Sequence, residues 1–151
     1  MKTDSLDRRI IRVLNADGRC SSLEIARQLD VSEGTIRNRI KKMNDAGLLR
    51  VSALLDPEKL EEKELALLGI RISSSRDLVE TTSGIADLPQ LKAAYITTGR
   101  YDIIAEVLVE VKTGLIDFIA EELTKFPGIV STESFMAMKS FNKWVIDDLA
   151  D

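Results

Sequence analysis

The chain has 151 residues, enough for one domain or two small ones, and its 44% apolar and 30% charged residues are normal for a folded protein. It contains no histidine, which removes the commonest general base and metal ligand and excludes Ser–His and Cys–His catalysis. The single cysteine, Cys20, excludes an internal disulfide framework and fits a small residue between helices in a reduced compartment.

Charge is unevenly distributed along the chain. The net charge is −4, but residues 1–50 hold 11 Lys and Arg against 7 Asp and Glu, whereas residues 51–151 hold 10 against 18. Because local charge decides phosphate attraction, the cationic first third is a candidate for nucleic-acid binding. No apolar run is long enough to span a membrane, and the opening MKTDSLDRR lacks the apolar stretch of a secretory signal. We therefore expect a cytoplasmic protein without a membrane partner.

Three helices are predicted before residue 48, over about 5–16, 22–29 and 33–46. In each of them apolar residues recur at intervals of three and four, which is the spacing of one helix face. These faces predict a small shared core formed by Ile10, Leu14, Ile25, Leu29, Ile36, Ile40 and Met43. Cap signals mark the helix boundaries. They are Asp4 before the first helix, Ser21 with Glu24 before the second, Ser32 before the third and Gly47 after it.

The second and third helices, joined by a tight turn within residues 21–47, predict a helix–turn–helix. One side of the third helix is apolar, and the opposite side is polar and cationic, as a helix that contacts bases and phosphates requires. Thr35 and Asn38 are the predicted base contacts, while Arg39 lies nearer the packed flank. The other predicted DNA contacts are Ser32, Arg37, Lys41, Lys42 and Arg50, of which the cations mainly hold phosphates. The alternative is an ordinary amphipathic hairpin with a solvated basic face.

Residues 48–55, LLRVSALL, predict a strand that ends at Asp56-Pro57, because a proline disfavours helix in the residue before it. One strand after a helix–turn–helix indicates a winged variant. The charged stretch that follows predicts a linker or a short connecting helix. The predicted domains are a winged helix–turn–helix over 1–55, a hinge over 56–64 and a second domain over 65–151.

The second domain shows a repeated pattern of strands and helices. Predicted are a strand over 65–73, a helix over 77–86, strands over 91–98 and 102–111, a helix from the cap Thr113 to Phe126, and a strand over 129–139 that 141–145 extends or supplements. The order βαββαβ predicts a ferredoxin-like α+β sandwich with helices on one face of an antiparallel sheet. Apolar residues on both sides of several strands predict that a second copy covers the other face, giving a dimer. Simple exposure of some of these residues is the alternative.

Five segments carry a family resemblance. They are LDRRIIRVLNADGR, SSLEIARQLDVSEGTIRNRIKKMNDAGLL, LLDPEKL, TGRYDIIAEV with its T-G-x-Y-D pattern, and FPGIVSTES. In this order and spacing they resemble the first helix, helix–turn–helix, hinge, ligand loop and following strand of the leucine-responsive/AsnC (feast/famine) family of transcription regulators. The resemblance implies a DNA-binding winged helix, a hinge and an effector-binding RAM domain. It also implies dimers that assemble into octamers or similar discs and bind amino acids or related metabolites between dimers.

The pocket that the resemblance implies is formed by the loop of Gly99, Arg100, Tyr101 and Asp102, facing strand residues of a neighbouring dimer. The strand residues so implied are Thr132 and Ser134. Asp102 is expected to hold an α-ammonium group, and backbone donors or Arg100 a carboxylate. Arg100 departs from the family pattern, in which an acidic or neutral residue is common, and favours a carboxylate-rich effector. The alternative is that Gly99-Arg100 is only a hairpin turn.

The sequence as a whole predicts a sequence-specific transcription regulator with two partners, double-stranded DNA and a small metabolite. The family resemblance implies that this metabolite is an amino acid. We expect neither enzymatic activity nor a cofactor or metal. One alternative is a sirohaem-type decarboxylase of the same architecture, disfavoured because such enzymes are expected to use histidine and this chain has none. The other is a DNA-compacting protein with little sequence preference.

Overall fold

The computed structural model describes residues 1–147 and divides the chain into two compact units, Met1–Ala53 and the residues from Leu54 onward. The first unit consists of three helices that agree with the predicted ones to within one residue. They are α1 (Ser5–Ala16), α2 (Ser22–Leu29) and α3 (Glu33–Asp45). No helix in the described part of the chain is long and apolar enough to cross a bilayer.

The predicted caps of α1 and α2 are confirmed. The side chains of Asp4 and Ser21 accept the backbone N–H three residues on, and Asp7 and Glu24 reach back to the capping residues, which completes two capping boxes. The hydroxyl and the backbone N–H of Ser21 bind the carboxylate of Glu24 and lower its pKa. After α3, Gly47 has φ 65°, the left-handed conformation that glycine adopts without strain.

The predicted core of the first unit is confirmed. Five of its residues are buried, and Leu14 and Ile40 are half-buried against them. The five are Ile10, Ile25, Leu29, Ile36 and Met43. Cys20 also packs against this cluster, where burial, Glu24 and Asp17 raise the pKa of its thiol. The spacing of apolar residues therefore identified this core correctly, because it reflects the helix period.

The strand predicted over residues 48–55 is wrong. Within the described residues, the only strand-like pairing of this segment is a bridge at Leu55, whose N–H and C=O bond the backbone of Val145 at 2.8 and 2.9 Å. A strand needs a neighbour for its backbone groups, and the described residues of the first unit form none. The N–H groups of Leu48 and Leu49 bond the Met43 carbonyl instead, which caps the C-terminus of α3. The helix–turn–helix itself is confirmed.

The second unit has the predicted ferredoxin-like fold. Its elements are β1 (Lys63–Ile72), α4 (Leu78–Ala86), β2 (Leu91–Ile96), β3 (Ile103–Glu110), α5 (Gly114–Asp117) and β4 (Ile129–Met136). The strands form one antiparallel sheet in the order β2-β3-β1-β4, which is the βαββαβ arrangement of two interleaved halves. The segment predicted as a hinge, 56–64, groups with this unit, and its Pro57–Lys59 forms a 3-10 turn.

The second predicted helix of this unit is less regular than its sequence suggests. After α5 the chain continues as a π-helical turn, Phe118–Glu122, and a 3-10 turn, Leu123–Lys125. The wider turn allows Phe118 and Leu123, five residues apart, to enter the core together at 2% and 3% exposure. Thr113 makes no side-chain cap bond, so its predicted capping role is wrong.

The two faces of the sheet differ. One face carries the core, in which Leu68 and Ile70 of β1 pack with residues of α4 and of the α5 segment. The other, which we call the open face, carries the alternate residues of each strand. Its members include Leu65, Leu67 and Gly69 of β1, Ile104, Glu106 and Leu108 of β3, Tyr95 of β2, and Glu133 and Phe135 of β4. The predicted alternation of β3, with its acidic residues on one side and Ala105, Val107 and Val109 on the other, is confirmed.

The last described residues do not continue β4. The strand predicted to reach residue 139 ends at Met136, and the segment 138–147 is irregular apart from the bridge at Val145, which is 2% exposed. Side-chain contacts attach this segment to the sheet. Lys143 pairs with Glu106 on the open face, and Asp147 pairs with Lys92 at 2.6 Å. Near the start of the segment, the backbone N–H and the hydroxyl of Ser140 donate hydrogen bonds to Glu58 of the 3-10 turn.

Candidate DNA-recognition helix and effector loop

Helix α3 presents the predicted polar face to solvent. The hydroxyl of Ser32 accepts the N–H of Thr35 at 3.2 Å, which confirms Ser32 as the N-cap. The two hydroxyls also bond each other at 2.8 Å, and Thr35 is half-buried. Asn38 is exposed, and so are the cations at Arg37, Lys41, Lys42 and Arg50. One side of a single helix therefore carries an amide, hydroxyls and cations, which are the groups that bind base edges and phosphates.

Two of these cations have acidic partners on the same helix. Arg37 pairs with Glu33, and Lys41 pairs with Asp45 at 2.6 Å, both one turn apart. All four side chains are at least 40% exposed, so each pair adds little stability and exchanges readily for another anion. Lys42 and Arg50 belong to no ion pair formed by the described residues.

Arg39 attaches the recognition helix to α1. Its guanidinium donates to Asp4 at 2.5 Å and to Asp7 at 3.2 Å, and the Asp7 side chain is only 1% exposed. The backbone N–H of Asp7, followed by Arg39, lowers the pKa of Asp4, and the bond to Asp4 raises the pKa of Arg39. Arg39 thus satisfies a buried carboxylate, which agrees with its predicted place on the packed flank.

The loop of residues 97–102 connects β2 to β3, and Asp102 attaches it to β1. The backbone N–H of Asp102 donates to the Ile70 carbonyl at 2.9 Å, and its carboxylate accepts the N–H of Ile72 at 2.8 Å. Within the loop, the Thr97 hydroxyl donates to the carbonyl of Tyr101. Asp102, predicted as the ammonium-binding group, is therefore half-buried and already holds the backbone in place.

Tyr101 lies flat against the open face at Gly69. A Cβ placed on Gly69 would be 2.6 Å from ring atoms of Tyr101, so this strand position has room for the ring only because it is glycine. The Tyr101 hydroxyl donates to Glu133, and this bond, followed by burial, raises the pKa of Tyr101. Phe135 meets the ring edge-on at a centroid distance of 6.4 Å.

Arg100 completes this group. Its guanidinium carbon is 5.5 Å from the centroid of the Tyr101 ring, and a nitrogen is 3.6 Å from the Glu133 carboxylate. A cation and an anion thus flank one aromatic ring. Both charged side chains are exposed, at 79% and 45%, so a ligand could reach either of them. Gly99 is exposed, and a Cβ there would meet nothing within 4 Å.

Thr132 and Ser134 do not join this group within one chain. They pair with Ile70 and Leu68, whose side chains point into the core, so they occupy the helix-covered side of β4. Glu133 lies between them and points to the open face with Tyr101. Sequence reasoning missed Glu133 and Gly69. Strand alternation could have found Glu133, because it lies between Thr132 and Ser134 and must therefore point to the opposite face of the sheet. No local sequence pattern indicates the contact between Gly69 and Tyr101.

Each of the two units matches a known protein family. Residues 4–44 match the model of the AsnC-type helix-turn-helix domain, and residues 65–143 match the Lrp/AsnC ligand binding domain. A helix-turn-helix transcriptional regulator of Pyrococcus furiosus is 37% identical over 142 residues, covering 93% of this chain and 95% of that protein. The regulatory protein AsnC of Haemophilus influenzae is 31% identical over 138 residues, covering 91% and 92%.

Solved structures agree with the sequence relatives. AsnC of E. coli superimposes with a TM-score of 0.72 at 28% identity, covering 93% of this chain and 95% of its own. A Neisseria meningitidis regulator solved as a complex with L-Met shares the fold, with a TM-score of 0.74 at 22% identity and 94% coverage of each chain. The fold and the recognition helix define a transcription regulator with a ligand-binding domain. The chain belongs to the Lrp/AsnC family.

Proposed function

We propose that this regulator binds double-stranded DNA at specific sequences through α3 and acts as a regulator rather than as an enzyme. The observation that carries the proposal is the exposed face of α3, where Asn38 lies among cations opposite the buried Ile36 and Met43. Because Arg37 and Lys41 have only exposed intrahelical partners, phosphates can replace those carboxylates at small cost. Arg50 and Lys42 supply further phosphate contacts, and the hydroxyls of Ser32 and Thr35 lie at the start of the same face.

The test is selection of bound duplexes from random DNA, with and without a mixture of amino acids. A specific regulator enriches a defined, pseudo-palindromic sequence, since two recognition helices of a dimer sit about one DNA turn apart. Enrichment that changes with the mixture identifies effector dependence in the same experiment. Binding without any enriched sequence would instead favour the DNA-compacting alternative.

Substitution of Asn38 and of Lys41 separates base contacts from phosphate contacts. Asn38→Ala is expected to cost about 1–3 kcal/mol on the selected site and little on unrelated DNA. Lys41→Ala is expected to weaken both duplexes alike and to reduce the slope of log K against log salt by about one. Fluorescence anisotropy across a salt series measures both effects. If Asn38→Ala weakened binding to unrelated DNA as much as binding to the selected site, Asn38 would not be a base contact.

We further propose that the effector is an amino acid held beside Tyr101. Arg100 suits its carboxylate, and Glu133, which is 45% exposed beside Tyr101, suits its ammonium group better than the half-buried Asp102. Gly99 leaves open space next to both charges. From the family resemblance we propose that Thr132 and Ser134 of a neighbouring dimer face this loop. A Neisseria meningitidis protein of this fold has been solved as a complex with L-Met.

The open face supports the proposal of a homodimer as the basic assembly. Leu67, Tyr95 and Phe135 are 38%, 50% and 45% exposed on it, and large apolar groups of this kind are normally covered. A second copy is the occupant we favour, because the family resemblance implies dimers and a twofold pair uses the same apolar face on both copies. Assembly of such dimers into octamers or similar discs remains a prediction from family resemblance.

Leu67→Lys is expected to shift the protein from dimer to monomer, because it places a charge at the centre of the open face. Leu67 is 38% exposed in the single chain, so the fold should tolerate the lysine. Sedimentation at several concentrations should show that the affinity of the two copies for each other falls by about a hundredfold. Val79→Lys, at a 70% exposed position of α4, is the matched control and should leave the dimer intact. Equal behaviour of the two variants would exclude the open face as the interface.

A further inference from the structure

The arginines of α1 form a second cationic surface of the first unit. Arg8, Arg9 and Arg12 are all exposed. At about 100° per residue, Arg8 and Arg12 share the side of the helix opposite the buried Ile10, and Arg9 lies beside them. The guanidinium of Arg8 donates a hydrogen bond to the Thr3 carbonyl at 3.3 Å. We call this group the α1 stripe.

The α1 stripe carries positive charge that is not neutralised locally. The ion pairs that described residues of the first unit form are Arg37–Glu33, Arg39–Asp4, Arg39–Asp7 and Lys41–Asp45, and none includes an arginine of α1. The acidic residues at the start of α1 both bind Arg39 instead. Like charges one turn apart, such as Arg8 and Arg12, also destabilise a helix slightly. Stability of the free protein therefore does not account for this concentration of charge.

Contacts within the unit place the stripe next to the recognition helix. Arg39 of α3 binds Asp4 and Asp7, so the start of α1 lies against the flank of α3 that carries Arg39. On the helix wheel, this flank borders the side of Thr35 and Lys42 on the proposed DNA-binding face. Arg8 lies one turn after Asp4 on the same side of the chain, and so begins the stripe at that border. A helix in the major groove has a phosphate strand along each edge of the groove, which is where a flanking cationic surface would meet DNA.

We propose that the α1 stripe binds the phosphate backbone of DNA beside the groove that α3 enters. The ligand is a run of phosphodiester groups, and Arg8 and Arg12 hold it without reading its sequence. Arginine suits this role because its planar guanidinium binds phosphate oxygens in pairs. The inference rests on the proposed DNA binding and adds to it a contact surface outside the helix–turn–helix.

The test compares two double variants of the full chain. Arg8→Ala/Arg12→Ala removes two charges from the stripe, and Arg71→Ala/Arg76→Ala removes two exposed charges from the second unit. Anisotropy is measured on a selected site and on an unrelated duplex across a salt series. For the stripe variant we expect both affinities to fall by about tenfold or more at low salt and the salt slope to decrease by about two. Its melting temperature should not fall, because alanine is a better helix former than arginine and a like-charge pair is lost.

The outcomes separate this inference from the function on which it rests. The proposal for the α1 stripe is wrong if the stripe variant keeps the salt slope of the wild type, or loses no more DNA affinity than the Arg71/Arg76 control. Either result would leave the proposed DNA binding by α3 unaffected. A loss confined to the selected site would also overturn it, because phosphate contacts carry no sequence information. A wild-type chain that binds neither duplex refutes the proposed function itself.

Discussion

Lys92→Met is expected to destabilise the second unit by about 3–5 kcal/mol, the usual cost of removing one partner of a buried ion pair. The ammonium group of Lys92 is 2.6 Å from Asp147, and the two side chains are 9% and 8% exposed. The second carboxylate oxygen of Asp147 has no hydrogen-bond partner in the structure of residues 1–147, so Lys92 is the main compensation for this charge. Without Lys92, a largely buried carboxylate would have no compensating charge.

Urea unfolding followed by the fluorescence of Trp144, the only tryptophan, reports on this unit. The double variant Lys92→Met/Asp147→Leu removes both charges and should recover most of the loss, because an apolar pair of similar volume needs no compensation. Lys125→Met, at an exposed pair with Glu122, is the control and should change stability by less than about 1 kcal/mol. A loss below about 1 kcal/mol for Lys92→Met alone would show that Asp147 is hydrated or paired elsewhere.

Gly69→Ala is expected to displace Tyr101 from the open face and to abolish effector binding. Its Cβ would lie 2.6 Å from ring atoms of Tyr101, a distance that such atoms do not adopt, and the neighbouring strands prevent β1 from moving away. Overpacking of this kind costs about 1–3 kcal/mol. The ring would lose its bond to Glu133 and its place under Arg100, so the two charges would no longer flank one surface.

Two measurements and a control variant check this expectation. Calorimetry against the individual amino acids should show heat with the effector for the wild type and no heat for Gly69→Ala. Alkaline titration of tyrosine absorbance should show the raised pKa of Tyr101 returning toward its ordinary value, since its main cause is the bond to Glu133. Gly99→Ala, where a Cβ meets nothing within 4 Å, should keep that raised pKa. Normal effector binding by Gly69→Ala would mean that Tyr101 is not part of the effector site.

The loop of residues 97–102 shows where sequence reasoning succeeded and where it failed. The T-G-x-Y-D pattern led to Tyr101 and Asp102, and the structure brings both against β1. It could not show that Asp102 is occupied by the backbone of Ile72 or that Glu133 is the carboxylate beside Tyr101. Those facts depend on which strand lies next to the loop and on which face each residue takes, and a shift of one residue reverses that assignment.

The sequence by itself determined the helices of the first unit, their caps and core, the βαββαβ order and the polar face of α3. These features depend on residues within one or two turns of each other, so helical period and capping chemistry suffice to predict them. Only the tertiary structure decided that residues 48–54 form no wing strand, because a strand exists only with a neighbour. It also decided that Lys92 meets Asp147, that Gly69 makes room for Tyr101, and that Arg39 sets α1 beside the recognition helix. Each of these contacts joins residues more than thirty positions apart, which no local pattern encodes.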